Sequence, residues 1–206
     1  MSNVTALFWD IGGVVLTNGW DRDSRHAAEQ KFGLDSDELE DRHELAFPTF
    51  EVGKTTLNQY LESTVFYKKR TFSVQDFVDF MYSQSRELSD SRAVVDRLAR
   101  SGKYLVAALN NEGAELNAYR IARFNLTRTF IAFFSSCYVG SRKPNAPIYQ
   151  MALQVTQRAP AECIFVDDRE LNLECPSQLG MDTIQFQSAA QLEADLRKRG
   201  VEVPAA

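Results

Sequence analysis

The apolar run Ala6-Leu7-Phe8-Trp9 ends on a carboxylate, Asp10, and the chain then turns through Ile11-Gly12-Gly13. Bulky residues in unbroken succession predict a strand buried on both faces, as in a parallel sheet covered by helices. An unpaired charge in such a place is costly. The carboxyl ends of parallel strands, however, open onto the crevice where α/β proteins bind ligands. Asp10 is therefore either a reactive group held by a rigid element or a capping carboxylate in a strand-to-loop turn. The glycines after it let backbone N–H groups approach a bound anion, which makes Gly13 a candidate substrate contact.

Strand and helix signals alternate at both ends of the chain and not between. Residues 21 to 88 carry only helical patterns: Asp21 to Phe32 stopped by Gly33, then a helix capped by Ser36. Pro48 and Gly53 punctuate the next connection, Thr55 or Thr56 opens a third helix, and Ser73 caps a fourth bearing Phe77, Phe80 and Met81. From Ser91 the alternation returns. Strands are expected at 104–109, 130–134, 163–166 and 182–185, with helices at 91–100, 112–124, 145–157, 170–179 and 189–199. This pattern implies an α/β domain carrying an inserted helical bundle.

Polar residues follow the apolar strands: Asp10, then Asn110 and Asn111, then Arg142 and Lys143 beyond a short loop, then Asp167 and Asp168. Strands of one parallel sheet point the same way, so these groups converge on one edge. Three carboxylates there raise one another's pKa unless a cation joins them. An all-oxygen set favours Mg2+. Lys143 adds a point charge suited to a phosphate, and Asn110 can donate an amide N–H to an anionic oxygen.

Composition narrows the alternatives. A net charge of -5 gives no electrostatic reason to expect nucleic acid. The basic runs Lys68-Lys69-Arg70 and Arg197-Lys198-Arg199 read as a solvated helix end and a basic last helical turn. Cys137, Cys163 and Cys175 form no CxxC pair and read as reduced thiols. His26 and His43 lack the spacing of zinc ligands and read as surface or bundle residues. The first residues carry neither a basic segment nor a long apolar stretch, so no signal peptide, no membrane span and a cytoplasmic location are expected.

On these residues the chain resembles the haloacid dehalogenase-like (HAD) hydrolases, whose four motif positions occur in order. Asp10 in Phe-Trp-Asp-Ile-Gly-Gly-Val-Val is similar to the nucleophile loop, Asn110 follows the second-motif strand, Lys143 lies in Gly-Ser-Arg-Lys-Pro-Asn-Ala-Pro, and Asp167-Asp168 form the acidic fourth motif. The resemblance implies a Rossmann-like three-layer parallel-sheet core from 1–16 and 91–206, with an α-helical cap at 17–90. It also implies Asp10 as a nucleophile that forms an aspartyl-phosphate, with Asn110 and Lys143 assisting. Mg2+ would be held by Asp10, the Gly12 carbonyl, Asp168 and Asp167. Asn172 would hold a metal-bound water or stand on a helix surface. Near the cap hinge, Asn18, Trp20, Arg22 and His43 are the candidates for substrate selection, with Trp20 also able to pack the cap against the core.

Two positions depart from the family pattern. Gly12 stands where most of its phosphatases carry a second Asp, the general acid–base; positioned proton transfer of that kind contributes about 10²–10⁴-fold. Asn110 replaces the usual Ser or Thr, and a one-residue shift of register would give Asn111 its task. Subfamilies with an Asp-x-Gly-Gly loop include sugar-phosphate phosphatases. The expected activity is thus Mg2+-dependent hydrolysis of a small phosphorylated metabolite, such as a sugar phosphate. The alternatives are a metal-independent 2-haloacid dehalogenase, which the adjacent Asp167 and Asp168 oppose, and a non-catalytic phosphate-binding regulator.

Overall fold

The structure, a computed structural model, describes residues 3–205. Five parallel strands form one sheet: β1 (Ala6–Trp9), β2 (Leu105–Asn110), β3 (Phe133–Ser135), β4 (Cys163–Asp167) and β5 (Asp182–Gln185), in the order β3-β2-β1-β4-β5. The first strand lies at the centre, pairing Ala6 with Leu105 on one side and with Cys163 on the other. Side chains alternate across it. Leu7 and Trp9 join Val106, Ala108, Ile164 and Val166 on one face, beneath helices α5 (Ser89–Ser101) and α10 (Ala189–Lys198). Ala6 and Phe8 join Ala107, Leu109 and Phe165 on the other, against helices α8 (Ala146–Thr156) and α9 (Leu171–Gln178). Complete burial of all four residues of β1 is what its unbroken apolar run required. The core is the expected three-layer α/β arrangement.

Between β1 and β2 run α1 (Arg22–Phe32), α2 (Ser36–Glu51), α3 (Leu57–Thr64) and α4 (Val74–Ser83). They enclose a separate apolar cluster of Trp20, Ala28, Leu39, Phe50, Tyr60, Leu61, Phe77 and Met81, which also takes in Leu116 of α6 (Ala114–Arg123). The chain leaves and re-enters the core side by side. Leu16 bridges Glu87 antiparallel, Thr17 N donates to Arg86 O at 2.8 Å, and Leu88 N donates to Val15 O at 3.0 Å.

Several local expectations shift. Asp35, not Ser36, caps α2, its carboxylate accepting from Glu38 N; a carboxylate also suits the positive end of the helix dipole. Pro48 lies inside α2 instead of in a connection. Pro48 and Glu44 are both exposed, so water can take the carbonyl that the proline leaves without a donor. The third strand begins only at Phe133, although Ile131 N already bonds Val106 O and Ala132 O accepts from Ala108 N. Lys68-Lys69-Arg70 lies in the loop between α3 and α4, with Lys68 on Glu38 at 2.8 Å, and is not a helix end. Among the described residues, no helix is long and apolar enough to cross a membrane.

Candidate active site

Asp10 continues the ladder one residue past β1, its N–H donating to Val166 O at 2.8 Å. A tight turn follows, in which Val15 N and Leu16 N both donate to Ile11 O and Gly13 N donates to Leu16 O. Gly13 takes a φ of 73°, and a Cβ there would overlap the carboxylate of Asp168. This corrects the expected role of Gly13. Its N–H is spent within the turn, and the glycine is needed for the close approach of Asp168 instead of for contact with an anion. We expect Gly13→Ala to destabilise the fold by about 1–3 kcal/mol, from left-handed backbone strain, with further displacement of Asp168. Urea unfolding would check it; an unchanged midpoint contradicts the argument.

Lys143 is the centre of the charge network. Its Nζ lies 2.9 Å from Asp10 Oδ1 and 2.6 Å from Asp167 Oδ2, and its side chain is 1% exposed. Asp10 Oδ1 also accepts from Ile11 N at 2.8 Å. Asp10 Oδ2, by contrast, has no partner among the described residues. Asp167 is fully buried, and Asn172 Nδ2 reaches both of its oxygens at 3.0 and 3.1 Å while Arg169 N donates to Oδ1. Asn172 is therefore not a surface amide: its Nδ2 holds Asp167, and it lines the cavity with Oδ1 unengaged among the described residues. Burial pushes the Asp10 carboxyl up to about 7, against the pull of Lys143 and with the repulsion of Asp167. Burial and then Asp167 also raise Asp168. Burial works against the charged form of Lys143, but Asp10 and Asp167 outweigh it and raise its pKa.

The two asparagines divide differently from expectation. Asn110 is 2% exposed and closes a ring of hydrogen bonds: its Nδ2 donates to Asn117, Asn117 Nδ2 donates to Ser135, and Ser135 Oγ donates back to Asn110 Oδ1. It is not among the residues lining the cavity, so the amide expected on a phosphoryl oxygen is engaged elsewhere. Asn111 does line the cavity, yet its carboxamide grips Lys143, accepting from Lys143 N at 2.9 Å and donating to Lys143 O at 3.0 Å. It positions the lysine.

A cavity of about 430 Å³ connects Asp10, Gly12 and Lys143 to the helical block. Its far wall includes Trp20, Arg22, Arg25, His43 and Phe47. Arg22 is exposed on the first turn of α1. Trp20 is 4% exposed and meets Phe77 edge-on, so it belongs mainly to the packed interior. Asn18 Oδ1 stands 2.9 Å from where a Cβ at Gly12 would be, filling the space a side chain there would need. Three ion pairs support this cavity, and of their residues only Arg142 was expected at the strand ends. Arg25 is fixed on Glu40 at 2.6 Å, Arg142 on Glu51 at 2.6 Å, and Arg120 on Glu112 at 2.7 Å. Of the residues passed over, only Glu112 had a legible signal, as one more carboxylate just past the end of β2.

The acidic cluster fits a small divalent cation. Asp10, Asp167 and Asp168 each place an oxygen within 4.8 Å of the others. Asp168 Oδ1 is buried without a hydrogen-bond partner. Such an orphaned acceptor beside two other carboxylates lacks positive charge, and hard oxygen donors suit Mg2+.

The comparisons agree with this geometry. Residues 4–175 match the model of the haloacid dehalogenase-like hydrolases. Flavin mononucleotide hydrolase 1 of Arabidopsis thaliana is 27% identical over 165 residues, covering 80% of this chain and 66% of that protein. Bifunctional epoxide hydrolase 2 of Rattus norvegicus is 34% identical over 82 residues, which are 39% of this chain and only 15% of the relative. In fold, a HAD family enzyme from Bacteroides thetaiotaomicron superimposes with a TM-score of 0.79 at 19% identity, covering 90% of this chain and 95% of the other. With Asp10, Lys143, Asp167 and Asp168 gathered at the strand ends and a family match over most of its length, the chain belongs to the haloacid dehalogenase-like hydrolases.

Proposed function

We propose that this enzyme is a Mg2+-dependent phosphomonoesterase acting on a small phosphorylated metabolite, with Asp10 as nucleophile. The observation that carries the reading is the division of labour on the Asp10 carboxylate. Oδ1 is held by Lys143 and Ile11 N, while Oδ2 is left without a partner among the described residues. A carboxylate fixed by one oxygen presents the other as an oriented nucleophile. Two relatives support the choice of ester. The Arabidopsis protein is named for hydrolysis of flavin mononucleotide, and the Bacteroides enzyme has been crystallised with magnesium and inorganic phosphate. Flavin mononucleotide and sugar phosphates are the first substrates to test.

In this reading Asp10 Oδ2 forms a bond to phosphorus as the bond from phosphorus to the ester oxygen breaks. Water then attacks the aspartyl-phosphate, releasing inorganic phosphate and restoring the carboxylate. Lys143 offsets charge on the transferring group with the N–H that Asp10 and Asp167 leave free. Asp10, Asp168 and the Gly12 carbonyl would hold Mg2+, with Asp167 beside them; when bound, the ion supplies positive charge to the carboxylates and the phosphoryl oxygens. Gly12 has no side chain to protonate the leaving oxygen, so esters with good leaving groups turn over faster. Residues 17–90 act as the cap, and 1–16 with 91–206 as the catalytic core. The three free cysteines fit a reducing compartment such as the cytoplasm.

A panel of phosphomonoesters, including nitrophenyl phosphate, tests the reading with and without Mg2+. Phosphate release that needs Mg2+ supports it. Halide release from a 2-haloacid without metal would replace it with the dehalogenase, and phosphate binding without turnover would replace it with the regulator.

Mg2+ should also stabilise the protein in a pH-dependent way. The folded pKa of Asp10, about 7, lies above its ordinary 3.8. A raised carboxylate favours the folded state fully below the ordinary pKa, and that contribution is lost as pH rises through about 7. A cation that needs the ionised form then finds its ligands ready. The Mg2+-induced rise in Tm should therefore grow between about pH 5.5 and about pH 8; a rise that shrinks over that window contradicts the assignment of Asp10 as a ligand.

A further inference from the structure

His43 is the one imidazole on the cavity wall, and its surroundings fix which nitrogen carries the proton. Trp20 Nε1 lies 2.9 Å from Tyr60 Oη, and Tyr60 Oη lies 2.7 Å from His43 Nδ1. An indole N–H can only donate, so Tyr60 Oη accepts from Trp20. Tyr60 is 1% exposed, and its own O–H goes to His43 Nδ1, the close acceptor at 2.7 Å, while the neighbouring Thr64 hydroxyl donates to Tyr60 O. Nδ1 is thus an acceptor, and a neutral His43 carries its proton on Nε2.

Three further facts place that N–H in the cavity. His43 is 7% exposed and lines the cavity, while Nε2 has no hydrogen-bond partner among the described residues and is not one of the fully buried orphan atoms. The neutral state is enforced, because burial and then the neighbouring Arg25 lower the pKa to about 4, with Glu40 opposing. Arg25 is itself taken up by Glu40 and Trp20 O. Beside the imidazole lies the ring of Phe47, with centroids 4.4 Å apart, also on the cavity wall.

We propose that His43 selects substrate: its Nε2–H donates to a neutral acceptor on the organic part of the phosphomonoester, a flat ring bearing a carbonyl. A single uncharged donor set against an aromatic wall suits such a ring. Phe47 gives such a ring a face to lie against, which a polyol has no flat surface to use. The inference rests on the phosphatase reading for the phosphate end of the ligand.

The test measures binding of uridine 5′-phosphate, whose ring carries carbonyls, and of ribose 5-phosphate, which lacks the ring, to Asp10→Asn protein with and without His43→Phe. Loss of one hydrogen bond should weaken uridine 5′-phosphate about three- to tenfold and leave ribose 5-phosphate unchanged. Equal weakening of both ligands, no weakening of either, or failure of the nucleotide to bind overturns the proposal. The imidazole nitrogen chemical shifts of otherwise unaltered protein provide a check that does not depend on the variant folding. They should show a neutral ring protonated on Nε2 at pH 7, with a signal that moves on adding uridine 5′-phosphate and not ribose 5-phosphate. A charged ring or a proton on Nδ1 also overturns it. Absence of phosphate release by the wild-type enzyme, with His43-dependent binding intact, would instead sink the phosphatase reading alone.

Discussion

Asp10→Asn should abolish phosphate release while leaving a folded protein. An amide cannot act as the nucleophile, and the covalent step has no substitute within the cavity. The loss in kcat should be on the order of 10⁴-fold or more, as for other nucleophiles that work as part of a unit. The shape of the site should survive, because Asn keeps an oxygen that can still accept from Ile11 N and from Lys143. The variant should also lose its buried like-charge repulsion with Asp167 and Asp168, so its unfolding midpoint without Mg2+ should equal or exceed that of the wild type near pH 8. Rapid-mix trapping would show labelled phosphate on wild-type protein and none on the variant. Residual turnover within about tenfold of wild type would show that another group attacks phosphorus.

Lys143→Met should be the most damaging single change to the fold itself. The methionine fills similar volume but leaves Asp10 and Asp167 facing each other with no cation between them. Breaking a buried ion pair from one side costs about 3–5 kcal/mol, since the remaining charge is stranded. The sign of the pH dependence follows from the carboxylates. Without Lys143 the pull that lowers Asp10 is gone, so its pKa rises beyond the wild-type value, and the penalty is greatest where both acids are ionised. Destabilisation should therefore be largest near pH 8 and shrink toward pH 5, and Mg2+ should recover part of it. Denaturant titrations at the two pH values would check this. A penalty that grows on acidification would mean that the lysine is not the neutralising group.

The first four strands were legible because each is short, mostly apolar and ends on or before a polar residue, and because burial on both faces leaves β1 no room for a polar residue before Asp10; β5 is mostly polar and buries only Ile184. The charged centre was legible for a related reason: Asp10, Lys143 and Asp167 sit at strand ends or just beyond them, where topology alone brings them together. What failed was the direction of individual amides. Asn110 and Asn111 are adjacent in sequence, and only the position of Asn117 and Ser135 around one, and of the Lys143 backbone around the other, decides which faces the cavity. Gly13 failed in the same way, since the demand for a glycine came from Asp168, which is 155 residues distant along the chain. Helix caps were misplaced by one residue where two capping residues were neighbours, as at Asp35 and Ser36. Trp20, Arg22 and His43 of the far wall were legible, but Arg25 and Glu51 were not, because they owe their places to packing between helices and carry no local signature.

The paired crossing at Val15–Thr17 and Gln84–Leu88 gives the molecule a modular seam. Both backbones pass it in register, so everything beyond is a long loop whose ends stay a strand's width apart whatever its contents. A different helical insert could be spliced there without rethreading the sheet or moving Asp10, Lys143 or Asp167. Lineages that exchange inserts at such a seam would diversify in what they recognise while inheriting one unaltered chemistry.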